Sequence, residues 1–494
     1  MERRRALRGL LPAAAAASLS ACGLIGVPRL PPEPPEAGML EGRLTPLEQA
    51  HLGGHDVETG VALSGGGFRS ALFTVGALKA LYDRKLIGGR ADIVSTVSGG
   101  GYAAYWVYAN QLELERGRPT PVERFGSATF DDSRFYARVC ELAVNAKFVT
   151  GGAMIRSAVL GKSVKLYRER LGVVFGAADE PPVRLDKLDA RTRGGAWPFL
   201  VVNATLNREA TTGRRPTGWK DGLFEFTPLG TRWNGDGELA WKGSSLPYRD
   251  AVAVSGAAFA RFLKQEVRQP NGRRLVLHDG GGSENLGAIA LIRRGIPNIV
   301  IVDAEHDPAY RFKAYSNLKK RLPAWGASIV VEDIDDHLAS RSRRSPPAAY
   351  FQGYAEARRP EGGPSRVSRI HYIKMSLPRG LAAALSEARK RGVGRRFHER
   401  YMAEIDRSWN PAEKSFDCSQ VADERTRLAD WFGYAVSGYE NFWGKDPRSK
   451  PRLGAFTLDF PQYSTGDQSM FQDQALAFIA LGYLLTEGSG AAAP

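Results

Sequence analysis

Apolar runs of strand length that alternate with helical repeats predict an α/β chain. The expected architecture has three layers, α/β/α, around a mainly parallel central sheet, with a C-terminal extension after it. Two observations carry this. A short apolar run, a glycine-rich turn and a helical repeat follow one another twice near the start of the globular part, and further isolated apolar runs recur downstream. Composition agrees: 494 residues at 43% hydrophobic and 24% charged is globular, not disordered, and is long enough to bury a full core. The length suits two or three domains, or one large α/β domain with insertions.

Residues 60–63 (GVAL) form the first expected strand and meet the turn 64–67 (SGGG). Leu72, Val75, Leu78 and Leu81/Tyr82 then recur at helical spacing. Residues 93–97 (IVSTV), 98–101 (SGGG) and 102–114 repeat the pattern as strand, turn and helix. Further strands are expected at 199–202, 275–277 and 299–302, the last after a helical stretch at 287–294. Beyond about residue 310 the pattern loosens. Residues 339–364, rich in Arg, Ser, Gly and Pro, read as a surface loop, 370–375 as a strand and 471–485 as a helix. The expected division is 1–21 as a signal peptide, 22–55 as an anchor and tether, 56–310 as the catalytic core, and 311–494 as an extension that completes or covers it.

The N-terminus carries Arg3, Arg4, Arg5 and Arg8, then an alanine-rich apolar stretch at 10–19 that is too short to span a bilayer. This pattern is that of an export signal. Leu19-Ser20-Ala21-Cys22 resembles the bacterial lipoprotein box, which implies lipidation of Cys22 and anchoring in the cell envelope, facing the periplasm. Residues 28–38 (PRLPPEPPEAG) suit an extended tether. The net charge of +15 favours anionic partners such as a membrane surface, or is simply a solvated surface. The charge is diffuse and the chain exported, so no nucleic-acid role is expected. Cys140 and Cys418 could pair in an oxidising compartment or remain buried thiols, and their spacing does not decide. No Cys/His cluster has metal-ligand spacing, and no cofactor is implied.

Ser98 stands between an expected strand and an expected helix, in Thr96-Val97-Ser98-Gly99-Gly100. Such a turn holds a hydroxyl clear of the sheet at a helix N-terminus that favours developing negative charge. Thr96 occupies the position where the G-x-S-x-G elbow has glycine. Gly65, Gly66 and Gly67 also join a strand to a helix, and their N–H groups could converge on a phosphate or on the oxyanion of acyl transfer. The phosphate-loop pattern G-x-x-x-x-G-K-[ST] is absent, and G-x-G-x-x-G fails at Ser70. Arg69 could brace the loop or add positive potential, or be a surface arginine. Asp279, followed by Gly280, Gly281 and Gly282, ends an expected strand, where α/β sheets place their sites; it could equally be a turn aspartate.

The order glycine loop, elbow serine, Asp-Gly-Gly resembles the patatin-like phospholipase family, which is related to the cytosolic phospholipases A. The resemblance covers roughly residues 57–303. It extends to DGGGSENLGAIALIRR at 279–294 and to Asn203-Ala204-Thr205 with Thr212-Gly213-Arg214. It implies a patatin-like fold, an oxyanion hole from Gly65, Gly66 and Gly67, Ser98 as nucleophile and Asp279 as base, with Arg69, Gly100, Gly280 and Gly281 in support. No histidine is required, although seven are present: His51, His55, His278, His306, His337, His371 and His398. His278 neighbours Asp279 but points to the opposite face of its strand. His306, beyond a strand end, is the better alternative base. The substrate implied is a phospholipid or another acyl-ester lipid at a membrane surface. An acyltransferase with the same acyl-enzyme, or a non-catalytic lipid-binding lipoprotein, are the competing expectations. Oligomeric state is not legible.

Overall fold

The computed structural model describes residues 43–488 except 55, 122, 147–162, 177–182, 210–221, 234–236, 241–245, 257–264, 269–273, 341–347 and 359–363. Between 397 and 471 it describes only 399, 409–410, 415–416, 418, 433, 435–436, 460–462 and 470. Cys22, the signal and the tether therefore lie outside the described residues, as do 212–214.

A twelve-stranded sheet dominates. In chain order its strands are β1 (Thr59–Leu63), β2 (Ile93–Val97), β3 (Phe199–Glu209), β4 (Leu223–Thr227), β5 (Gly230–Trp233), β6 (Gly237–Ala240), β7 (Gln265–Arg268), β8 (Arg274–His278), β9 (Asn298–Asp303), β10 (Ala327–Val330), β11 (Tyr350–Ala357) and β12 (Arg366–Lys374). The order runs β10-β11-β12-β9-β1-β2-β3-β4-β5-β6, with β8 against β3 and β7 against β8. The centre, β12-β9-β1-β2-β3, is parallel throughout. Antiparallel strands extend it on both sides. The helices used below are α1 (Pro46–His51), α2 (Gly67–Asp83), α3 (Gly99–Leu114), α4 (Asp132–Val144), α5 (Ser163–Phe175), α6 (Tyr248–Ser255), α7 (Ala288–Ile292) and α8 (Gln472–Glu487).

Successive side chains on a strand point to opposite faces, so a strand buried on both sides reads as an unbroken apolar run. Val61, Leu63, Leu200, Val202, Val300 and Val302 join one core, with Leu72 and Leu78 of α2, Tyr105 of α3 and Ile479 of α8. Ala62, Phe199, Val201, Ile299 and Ile301 join the other, with Ile289 and Leu291 of α7 and with Tyr315, Leu318 and Trp325. The two cores make the three layers anticipated from sequence.

Residues 339–364 are not a surface loop throughout. Tyr350–Ala357 is a strand, paired antiparallel with β12 from Tyr350↔Ile373 to Ala357↔Arg366. Phe351, Ala355 and Ala357 are buried and Gln352 and Tyr354 exposed, a period of two. The position between these groups, Gly353, hid the alternation. A Cβ there would lie 2.2 Å from the Val330 carbonyl oxygen. Helix α8 crosses α2 at glycines: a Cβ on Gly76 would lie 1.8 Å from the Ile479 carbonyl oxygen, and one on Gly482 1.9 Å from that of Phe73. Cys140 of α4 and Cys418 form a disulfide.

A buried charge cluster ties α1 to the sheet. Arg294 donates to Glu48 at 2.6 Å and to Glu225 at 2.7 Å, and all three are nearly solvent-free. Burial pushes the Glu225 carboxyl up, but the charges of Arg294 and Arg293 and the Arg294 hydrogen bond outweigh it and hold it at about 2. A depressed carboxylate stabilises the fold fully above its ordinary value of 4.5, and that contribution is lost as pH falls towards about 2. Urea midpoints measured from pH 6 to 3 are therefore expected to fall more steeply in the wild type than in Glu225→Gln, which itself is less stable at pH 7 by about 3 kcal/mol or more. Gly482→Ala is expected to cost about 1–3 kcal/mol in the same assay, because backbone lies where the methyl must go.

Candidate active site

The site is built on one edge of β3. Strand β2 runs parallel to it and ends with Val97 opposite Asn203. Strand β8 runs antiparallel to it and ends with His278 opposite Thr205. Both lie on the side of β3 away from β4, which pairs with residues 202–205. Their C-terminal ends thus meet head-on, one β3 residue apart, at Ala204. Ser98 leaves one strand and Asp279 the other at this gap. Asp279 therefore follows an antiparallel strand and not, as in an all-parallel sheet, one aligned with β2.

Ser98 has φ +47° and ψ −116°, a conformation that L residues rarely adopt, and is 5% exposed. Such a backbone costs of order 1–3 kcal/mol and persists only where its surroundings enforce it. Ser255, at the end of α6, does so: its Oγ accepts the Ser98 N–H at 2.8 Å and donates to the Asn203 carbonyl at 2.6 Å. Thr96, the departure from the elbow pattern, donates its hydroxyl to the Val201 carbonyl at 3.3 Å. The turn closes so tightly that a Cβ on Gly99 would lie 2.2 Å from the Gly67 carbonyl oxygen, and one on Gly100 2.4 Å from that of Leu63.

The glycine loop lies directly alongside. Gly66 has φ +150°, and a Cβ there would lie 2.5 Å from the Ala304 carbonyl oxygen. The Gly65 N–H is already donated to the Asn285 carbonyl at 2.8 Å. Among the described residues nothing accepts the N–H groups of Gly66, Gly67 or Gly99, which flank the starts of α2 and α3. Ser70, where the G-x-G-x-x-G pattern fails, donates its hydroxyl to the Ser64 carbonyl at 2.9 Å. Arg69 is fully buried, not a surface arginine. Its Nη2 donates to the Ala304 carbonyl at 3.0 Å, and burial pushes the guanidinium down to about 9 against the opposing pull of Glu305 and Asp303. It braces the loop from beneath.

Asp279 is half-buried. The Gly281 N–H donates to its Oδ1 at 2.8 Å, and the Thr205 hydroxyl donates to its carbonyl at 2.7 Å. Gly280 allows close approach to β3, since a Cβ there would lie 2.4 Å from the Asn203 carbonyl oxygen. The Asn285 Oδ1 bridges the halves of the site: it would lie 2.3 Å from a Cβ on Gly65 and 2.7 Å from one on Gly281. That same Gly65 Cβ would be 3.3 Å from Ser98 Cβ, and that on Gly281 3.0 Å from Asp279 Oδ1.

The architecture is similar to that of a solved enzyme. Human GIVD cytosolic phospholipase A2 matches with a TM-score of 0.52 and 12% identity over 93% of this chain and 65% of that one. The chain shares the fold of that enzyme. The same human protein in complex with methyl gamma-linolenyl fluorophosphonate matches with a TM-score of 0.47 and 13% identity, over 92% and 64% of the two chains. This chain spans less than two thirds of the phospholipase's length. Neither a family model nor a curated protein matches the sequence.

On this phospholipase-like scaffold the described histidines are engaged elsewhere. His51 bonds to Thr192, His337 to the Tyr310 carbonyl and His371 to Tyr350. Burial, with the Arg69 charge, pushes His306 down to about 4. His278 forms a β-pair with Thr205, and His55 and His398 lie outside the described residues. Ser255 was not singled out in the sequence, and Asn203, Asn285, Gly99 and Tyr102 stood within quoted motifs or elements without a role assigned to them. Only Tyr102 carried a signal there, four residues after Ser98 on a helix and hence on the same face. Gly99→Ala is expected to lower stability by about 1–3 kcal/mol in chemical denaturation with an unchanged m-value, since the methyl would lie 2.2 Å from the Gly67 carbonyl oxygen and 3.0 Å from Ser70 Cβ.

Proposed function

We propose that the protein is a serine acyl-ester hydrolase of the phospholipase type. The observation that carries this is the convergence, at one gap on the β3 edge, of a strained serine, a half-buried aspartate and uncommitted N–H groups at two helix starts. The phospholipase name of the structural neighbour lends support to the substrate class. The resemblance of residues 57–303 to patatin-like phospholipases does the same.

In the proposed mechanism Asp279 takes the Ser98 proton as Oγ attacks the ester carbonyl. A carboxylate is a weak base towards a hydroxyl, so its partial burial matters. The oxyanion is received by Gly66 and Gly67, with Gly99 as a further donor. Gly65, whose N–H is occupied, shapes the loop instead. Arg69 supplies positive potential behind the donors. Collapse of the intermediate breaks the bond to the leaving alcohol, which takes the proton from Asp279. Water, deprotonated by Asp279, then attacks the acyl-enzyme, and Ser98 Oγ recovers its proton from the same carboxyl. With Cys22 lipidated, the chemistry would take place at a bilayer surface.

Release of fatty acid from phospholipid vesicles is the test. Ser98→Ala and Asp279→Asn are each expected to lower kcat by roughly 10³-fold or more, with melting temperature retained. Normal turnover by Ser98→Ala would overturn the proposal, and normal turnover by Asp279→Asn would remove the aspartate from it.

A further inference from the structure

A relay of buried polar groups behind the glycine loop has no part in the mechanism above. Ser64, Asp303, Tyr372 and Lys374 are all fully buried. Strand β12 runs parallel to β9, with Lys374 opposite Asp303. Tyr372 and Lys374, two apart on β12, point to one face. There the Tyr372 hydroxyl and the Lys374 ammonium both donate to Asp303 Oδ2, at 2.5 and 2.8 Å. The Glu305 N–H donates to Oδ1 at 2.9 Å. Burial opposes the Lys374 charge, but Asp303, Asp307 and Glu305 outweigh it and hold the ammonium above its ordinary value. The clamp on Asp303 is therefore ionic throughout the working pH range.

The anchor reaches the loop through two peptide units. A peptide is planar, so its C=O and N–H turn together. The Asp303 carbonyl and the Ala304 N–H belong to one unit. That carbonyl accepts the Met375 N–H, just past β12, at 2.8 Å, and that N–H donates to Ser64 Oγ at 2.8 Å. Ser64 donates its own hydroxyl proton to the Gly65 carbonyl at 3.2 Å. The Gly65 carbonyl in turn shares a peptide unit with the Gly66 N–H, one of the two loop donors in the mechanism above. Each step of the relay has its donor and acceptor fixed, because backbone N–H groups only donate and carbonyls only accept.

Resting on the function proposed above, we propose that Ser64 is a positioning residue: its hydroxyl ties the Gly65–Gly66 peptide to the Asp303 anchor and so aims the Gly66 N–H at the oxyanion. Glycines lack side chains that could pack and hold this peptide, so its orientation needs a polar tie. The Ala304 carbonyl, bonded by Arg69 at 3.0 Å, backs the loop so closely that a Cβ on Gly66 would lie 2.5 Å from it. An oxyanion donor is effective because it is fixed before the charge develops. Without the tie the peptide can turn, which weakens the hold on the transition state and leaves the bound ester unaffected. Lys374 and Tyr372 lie beyond residue 311, so the C-terminal extension takes part in the site through β12.

The test compares Ser64→Ala with wild type in the full chain on a p-nitrophenyl acyl ester. Inhibition by an alkyl trifluoromethyl ketone, whose adduct with serine carries the oxyanion, is measured beside inhibition by the matching p-nitrophenyl alkyl ether, which cannot react. The kcat of Ser64→Ala is expected to fall roughly tenfold or more, with KM within about twofold of wild type. Affinity for the ketone should fall by the same factor as kcat/KM, while affinity for the ether stays within about twofold. A kcat within about twofold of wild type, or ketone and ether affinities falling together, would overturn the proposal. Tyr372→Phe removes one hydroxyl from the far end of the relay. It is expected to show the same split at about fivefold, and decides the matter if Ser64→Ala does not fold. Ser98→Ala is run beside them. Turnover that survives it overturns the function and the relay together, whereas its loss there with Ser64→Ala at wild-type rates overturns the relay alone.

Discussion

Everything at the candidate site depends on the direction and length of β3. It is long enough for two strands to share one of its edges, β2 rising to Asn203 and β8 descending to Thr205. The ladder hydrogen bonds on each side fix these end points to within a residue. A register slip in either strand would turn its side chains to the other face and separate the serine from the aspartate. Because both residues follow directly from strand ends, their spacing is set by sheet geometry and not by flexible loops.

That arrangement has an energetic cost, borne locally. Ser98 sits in an unfavourable backbone conformation, held by a relay from its N–H through Ser255 to the Asn203 carbonyl. The strain keeps the hydroxyl at the head of α3, beside a loop whose Gly66 and Gly67 N–H groups, like that of Gly99, have no acceptor among the described residues. The close contact of Gly99 with the Gly67 carbonyl joins the loop to the elbow without side chains between them. Beneath, Arg69 gives up much of its hydration to bond backbone carbonyls, a costly placement that fits a loop whose shape must not relax.

Much of this was legible in the sequence because the responsible signals are short-range. Apolar runs buried on both faces announced β1, β2 and β9, and glycine turns after β1 and β2 marked the loop and the elbow. Other parts depended on contacts no local pattern encodes. The antiparallel strands β10 and β11 are half-buried, and Gly353 interrupts the alternation that would have revealed β11. β3 was expected to stop at residue 202, whereas its decisive part is the more polar continuation through Asn203 and Thr205. Whether Gly65 has a spare N–H depends on the Asn285 carbonyl, 220 residues away in sequence. The pairing of Cys140 with Cys418, across 278 residues, was equally beyond reach of spacing.

The most direct measurement is peptide mapping by mass spectrometry after inactivation with an alkyl fluorophosphonate. The account predicts one phosphonyl adduct per chain, on Ser98, formed far more slowly in Asp279→Asn. An adduct on a different serine, with Ser98 unmodified in fully inactivated protein, would contradict it.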